Sequence, residues 1–481
     1  RTPDSLRKRL LLHSAAGFLV VLPLIMHSLD LVSLRAMEEL EQRLYDVRLR
    51  ATAPQGMDPR VVIVDIDEKS LKALGQWPWK RDQLAQIVEH LFEDYDVGIL
   101  GFDSVFAEPD TDPTLESLRS LSAENDLSGI PGLTELSSQP DRDQVFSRVL
   151  SRFPVVMGYA FGRAPDQHNV GELPAPWFDR DTALAEKTRA PEALRYTANL
   201  PVLQGNRPGG FFSLLGGVDS DGIIRRVPLL NRFEGALYPT LSLATASAWL
   251  GIEVSPIVIA GAGENYAALE GLDLGFHQIS LDQQAAVYIP YRATPGLFRR
   301  ISAVDVYRGD VESPEDLAGV VALLGTSAAG LVDTRATPIH PVLPGVEIHA
   351  SMVAGLMDGG FRSHPGWAKG VERLLFGITV LLLVLLLPRV GAVAMSMVAL
   401  GVFAFHIVFN LTLWSQYAFI IALAPVLVAT GGVYLVNLIL GYFGETRSRL
   451  LLKRSFGLYV PPQIIDRMQG QSVTSLLRSE K

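Results

Sequence analysis

The chain has 481 residues, 48% of them hydrophobic and only 19% charged, with a net charge of −9 and no cysteine. Charge this sparse, against roughly 25% in ordinary soluble domains, argues against a disordered chain and against a purely soluble one. The lack of cysteine excludes a disulfide framework, a thiolate zinc site, an iron–sulfur cluster and a cysteine nucleophile. The first residue is arginine, so the sequence is expected to be a trimmed piece of a longer protein.

In chain order, residues 1–9 carry Arg7, Lys8 and Arg9 and are expected to be cytoplasmic by the positive-inside rule. Residues 10–30 form a first transmembrane helix. The stretch Leu10 to Leu29 holds no charged side chain and spans about 30 Å as a helix. A cleaved signal peptide is the competing reading, but no small-residue cleavage pattern follows. Residues 31–58 read as a stalk helix. Met37, Leu40, Leu44 and Val47 repeat with coiled-coil spacing, which fits a dimer stalk or a helix packed on its own domain.

Residues 59–366 change pattern to short buried runs: 61–67, 97–106, 154–161, 257–260, 286–291 and 320–325. Their β-branched content and Gly/Pro borders predict strands. Residues 81–95 predict a helix with Leu84, Ile87, Val88, Leu91 and Phe92 on one face. Strand, helix, strand predicts a mixed, partly parallel α/β sheet. Residues 110–145 and 163–192 read as loop-rich insertions.

Three more transmembrane helices are expected at 367–388, 390–412 and 417–443, followed by a basic cytoplasmic segment at 444–481. Residues 1–29, 371–444 and 445–481 carry +3, +1 and +4 of the total, which leaves −17 for residues 30–370. So acidic a region excludes nucleic acid as its partner and leaves a cationic ligand or plain solubility. His406, Asn410 and Asn437 fit either a relay or interhelical hydrogen bonds.

Polar groups at strand ends are where α/β sheets hold ligands. Asp65, Asp67 and Asp103 are such groups, and alternation points Asp65 and Asp67 to one face. They would bind a metal or cationic ligand, or cap the helices that follow. Asp219-Ser-Asp-Gly222 begins like a calcium loop but lacks its glutamate, and a hairpin turn is the simpler reading. The loop Gly325 to Gly330 has neither the Lys-Ser/Thr of a phosphate loop nor the spacing of a nucleophile elbow. Asp333, His340 and His349 would complete a hydrolytic triad only by coincidence. A loop donating backbone N–H groups to a small ligand remains open.

An ordered series of stretches carries a resemblance. It comprises Arg43-Leu-Tyr-Asp-Val-Arg-Leu-Arg50, Val61-Val-Ile-Val-Asp-Ile-Asp67, Gly75-Gln-Trp-Pro-Trp-Lys-Arg81 and Gly101-Phe-Asp-Ser-Val-Phe-Ala-Glu-Pro109. Gly216-Gly-Val-Asp-Ser-Asp-Gly-Ile-Ile-Arg225, Ile289-Pro-Tyr-Arg292, Leu324 to Asp333 and Pro344 to Ala350 complete it. Together they resemble the extracytoplasmic CHASE sensor of the second type, over about residues 36–360. The tail Phe456-Gly-Leu-Tyr-Val-Pro-Pro-Gln-Ile-Ile-Asp-Arg-Met468 resembles the segment before the catalytic domain of bacterial class III adenylate cyclases.

The resemblance implies a receptor-type adenylate cyclase whose catalytic domain lies beyond residue 481, so that this segment is itself non-catalytic. ATP and two divalent metal ions, Mg or Mn, would belong to that domain, and no cofactor or metal to this segment. A histidine kinase, protein kinase or diguanylate cyclase output is the alternative. The implied partners are a second copy of the chain, the lipid bilayer and an unknown extracytoplasmic small ligand or protein. The implied location is the bacterial inner membrane, with both termini cytoplasmic. The ligand candidates are Asp65, Asp67, Arg81, Asp103, Thr326, Ser327 and Asp333. The dimer stalk is Met37, Leu40, Leu44 and Val47, and the transducer is Phe456, Tyr459, Pro461 and Pro462.

Overall fold

The structure is a computed structural model that describes residues 3–111, 117, 120, 141–164, 168–180, 184, 188–213, 215–258, 269–293, 296, 298–328, 330 and 334–456. It divides into two units. One comprises residues 1–44, 367–413 and 421–481, and the other residues 45–366 and 414–420. The boundary near the N-terminus falls inside a helix. After α1 (Pro3–Ser28), α2 (Arg35–Thr52) places Met37 and Leu44 in the core of the first unit and Tyr45 and Leu49 in the core of the second.

The second unit is built on a largely parallel sheet. Its strands are β1 (Asp58–Ile66), β2 (Ile99–Phe102), β3 (Val155–Gly162), β4 (Arg195–Thr197), β5 (Gly209–Phe211), β6 (Phe298–Ser302) and β7 (Val321–Thr326). The order is β6-β1-β7-β2-β3, and both β4 and β5 pair with β3. Only β4 runs antiparallel.

Both faces are covered, which is why the strands read as unbroken apolar runs. On one face Val62, Val64, Ile66, Leu100 and Leu324 pack under α3 (Glu68–Leu74), α4 (Arg81–Glu89), α5 (Arg142–Leu150) and, after the short α6 (Pro201–Gln204), α8 (Ala303–Arg308). On the other, Val61, Ile63, Ile99 and Leu323 pack under α7 (Leu241–Leu250) and α9 (Gly345–Asp358). Each such side chain taken fully out of water contributes about 1.5–3 kcal/mol. Helix α4 stops at Glu89, and a single π turn, His90–Asp94, completes the segment that periodicity reads as one helix to residue 95.

The first unit holds α1, the start of α2, α10 (Ala368–Leu386), α11 (Ala392–Gln416) as far as Leu413, and α12 (Ala424–Phe456). Four segments, Arg7–Ser28, Ala368–Arg389, Ala392–Gln416 and Ala424–Phe443, are long and apolar enough to cross a membrane. The fourth starts at Ala424, later than its apolar pattern suggests. Residues 414–420 belong instead to the sheet-bearing unit, where Phe419 pairs with Ser363 and Ala418 takes a positive φ. His406 meets Thr379 at 3.2 Å, His13 meets Asn437 at 3.1 Å, and Asn410 donates to the Ile421 carbonyl. These polar groups bond from helix to helix or to a helix entrance.

Candidate functional site

The carboxyl edge of the parallel sheet gathers three of the candidate residues, Asp65, Asp103 and Ser327. Parallel register sets Asp65 of β1 beside Gly325 of β7 and Ser302 of β6, while Asp103 follows β2. Asp65 lies on the face covered by α9, and its side chain is 7% exposed. Its Oδ2 accepts from Ser327 Oγ at 2.6 Å and lies 3.7 Å from an Arg300 nitrogen. Its Oδ1 is buried and accepts no hydrogen bond. Burial therefore pushes the Asp65 carboxyl above its ordinary value, and Ser327 and Arg300 offset only part of this.

Helix α9 completes the cluster. Glu347 forms an ion pair with Arg300. His349 Nδ1 lies 2.8 Å from Ser242 Oγ, and its Nε2 lies 3.9 Å from Asp103. Glycine at 325 lets α9 approach this closely. A Cβ there would stand 2.6 Å from Val346 and 3.3 Å from Asp103 Oδ2. Among the described residues, no group of three or more His, Asp or Glu is placed to hold a metal ion. The cluster is a buried polar patch with spare acceptor capacity.

The other candidates are placed elsewhere. β1 ends at Ile66, so Asp67 leaves the alternation. It caps α3, accepting from Ser70 N at 2.8 Å, and takes a second bond from Ser302 Oγ. Thr326 turns its hydroxyl back onto the Ile66 carbonyl. Arg81 is buried against Asp143 at 2.9 Å, donates to the Glu108 carbonyl and lies over the Phe106 ring. It clamps the segment after β2 onto α5. The Ser327 hydroxyl donates to Asp65 rather than to a histidine, and His340 folds onto its own loop at Thr337 and Val342. Of the stalk residues, Met37 and Leu44 pack within their unit, Leu40 is half-buried and Val47 is 59% exposed. Phe456 closes α12, and Asp333, Tyr459, Pro461 and Pro462 lie outside the described residues.

A second charged cluster has no counterpart in the sequence reading. Arg225, 2% exposed, donates to both oxygens of Asp46 at 2.7 and 3.0 Å, to Asp219 at 2.9 Å and to both oxygens of Asp221. Asp219 and Asp221 flank the hairpin turn closed by the Val218–Ile224 bridge. The cation between these carboxylates is thus a guanidinium of the same chain. Asp46 comes from α2. The preceding residue, Tyr45, touches Trp414, which lies under the guanidinium groups of Arg48 and Arg362 and donates to Thr52 Oγ1 at 2.8 Å. In the first unit, Glu41 of the same helix accepts from the backbone N–H groups of Leu423 and Ala424, at the start of α12. Asp46 and Arg225 both lie in the quoted motifs, but 179 residues separate them and no local period joins them.

The fold is an α/β domain with a doubly covered parallel sheet and a polar carboxyl edge, in a chain that also has four helices long and apolar enough to cross a membrane. Residues 17–387 match the family model of the CHASE2 domain, and the chain belongs to that family of extracellular sensor domains. No curated protein and no solved structure matches the chain.

Proposed function

We propose that the chain is the sensor and membrane-anchor region of a receptor-type adenylate cyclase, which couples an extracytoplasmic stimulus to synthesis of cAMP and diphosphate from ATP. The cyclase assignment rests on the likeness of Phe456 to Met468 to the pre-catalytic segment of class III cyclases. In this reading ATP and two Mg or Mn ions belong to a catalytic domain after residue 481, and the chain works as a homodimer in a bacterial inner membrane with both ends cytoplasmic. The stimulus acts at the Asp65 edge of the sheet. A ligand there changes output only by its differential affinity for the two dimer states.

One observation supports coupling above the others. Helix α2 carries Asp46, which holds Arg225 in the sensor, and Glu41, which caps the start of α12. A shift of the sensor that moves α2 therefore acts on the helix leading to the output. The test joins this chain to its natural downstream sequence and measures cAMP, phosphohistidine and cyclic di-GMP with and without the sensor. cAMP formation that changes on sensor removal supports the reading, and either of the other products replaces it. For the dimer, a Val47→Cys variant cross-links through its exposed position while Leu44→Cys, packed within its own chain, does not. Monomers of an active full-length enzyme would remove the stalk from the mechanism.

A further inference from the structure

The amino edge of the same sheet, opposite Asp65, carries a cleft of about 560 Å³. That is within the size range of small-molecule sites. It lies where β2, β3 and β5 begin, between the end of α5 and the end of α7. Phe153, Pro154, Val202 and Pro208 supply its accessible apolar walls, and among the described residues no Asp or Glu lines it.

Among the described residues one cation lines it, Arg207. Its Nη1 donates to the Leu203 carbonyl at 2.8 Å. Its Nη2 donates to the Ser147 carbonyl at 2.5 Å, to Ser151 Oγ at 2.6 Å and, more weakly, to Ser147 Oγ at 3.3 Å. The two serines spend their own protons on the Val202 and Ser147 carbonyls. The Arg207 Nε–H is buried and unpaired. Every acceptor is neutral. The carbonyls at the ends of α5 and α6 fix the guanidinium and bring only partial negative charge. Arg60, Arg81, Arg225, Arg226, Arg292 and Arg300 of the same unit each have a carboxylate. With no ion-pair partner among the described residues, Arg207 is pushed below its ordinary value by burial.

We propose that this cleft binds a small carboxylic acid, its carboxylate on the remaining N–H of Arg207 Nη1 and its apolar body against Phe153, Pro154, Val202 and Pro208. The charge calls for an anion, and the walls call for an apolar body that inorganic phosphate or sulfate lacks. The site is independent of the cyclase reading, because binding is measured on this chain without any output.

The test uses the full chain in lipid nanodiscs and saturation-transfer NMR, with benzoate as probe, benzamide as its neutral counterpart and inorganic phosphate as competitor. Benzoate is expected to bind, benzamide to give no signal, and equimolar phosphate to leave benzoate in place. Arg207→Met is expected to weaken benzoate about tenfold or more, the usual effect of losing one charge-assisted hydrogen bond. Ala248→Trp fills the exposed mouth while leaving residue 207 an arginine and is expected to abolish binding, so it decides the matter should Arg207→Met fail to fold. Equal binding of benzamide, displacement by phosphate, or full benzoate affinity in either folded variant would overturn the proposal.

Discussion

Two buried charge clusters in the sensor unit make a useful contrast. Around Arg225 every guanidinium direction meets a carboxylate, and the side chain is 2% exposed. Around Asp65 the carboxylate is as deeply buried, yet one oxygen has no partner and the nearest cation stands 3.7 Å away. A closed cluster resists change, because breaking it strands charges in a low-dielectric interior. An open one already bears part of that cost, so a small event such as a proton, a ligand or a shift of α9 has free energy to release. The closed cluster suits transmission and the open one suits reception.

The largest effect is expected at the closed cluster. Arg225→Met leaves Asp46, Asp219 and Asp221 facing one another and should cost about 3–5 kcal/mol in chemical denaturation of the purified chain. A loss under about 1 kcal/mol would erase the contrast. Glu41→Ala removes the carboxylate from two N–H groups at the start of α12 and should cost about 2 kcal/mol of helix-entry stability. Hydrogen exchange at Leu423 and Ala424 should rise while the sheet core keeps its protection.

The open cluster should respond with the opposite sign. Asp65 has a folded-state pKa raised above 3.8, so above that pH the unfolded chain ionises more readily and the carboxyl destabilises the fold. Asp65→Asn should therefore be neutral or stabilising by about 1 kcal/mol at pH 7, with the gain fading as pH falls through the raised value toward 3.8. A clear loss of stability at pH 7 would place Asp65 with Asp46 as a structural group. Asp58 provides the control on the same strand. Burial pushes its carboxyl up, but Arg60 and Arg292 outweigh this and hold it below 3.8. Its contribution is present above 3.8 and lost as pH falls through the lowered value, so Asp58→Asn should flatten the acid limb of the stability curve. The smallest change is expected from Asp67→Ala, about 0.5–1 kcal/mol for one helix cap, with no effect on signalling.

The sequence read well wherever structure is local. Spans of apolar residues, the 3.6-residue face of α4 and the β-branched runs of β1, β3 and β7 were legible because each leaves a period in the chain. The site was half legible. Asp65, Asp103 and Ser327 were expected at strand ends and are found at one sheet edge. Asp67 shares the strand-end signal and Arg81 lies in a quoted motif, yet they hold a helix cap and a loop clamp, because only the end of β1 at Ile66 and the position of Asp143 decide these roles.

By itself the sequence determined that this is an acidic α/β domain on four apolar helices, since composition and periodicity report burial directly. Only the tertiary structure decided which charges meet. Asp46 finds Arg225 across 179 residues, Ser327 finds Asp65 across 262, and Trp414 leaves its apolar neighbours to lie with Arg48 in the sensor. Such pairs depend on how strands and helices are ordered in space, and spatial order leaves no period in a chain.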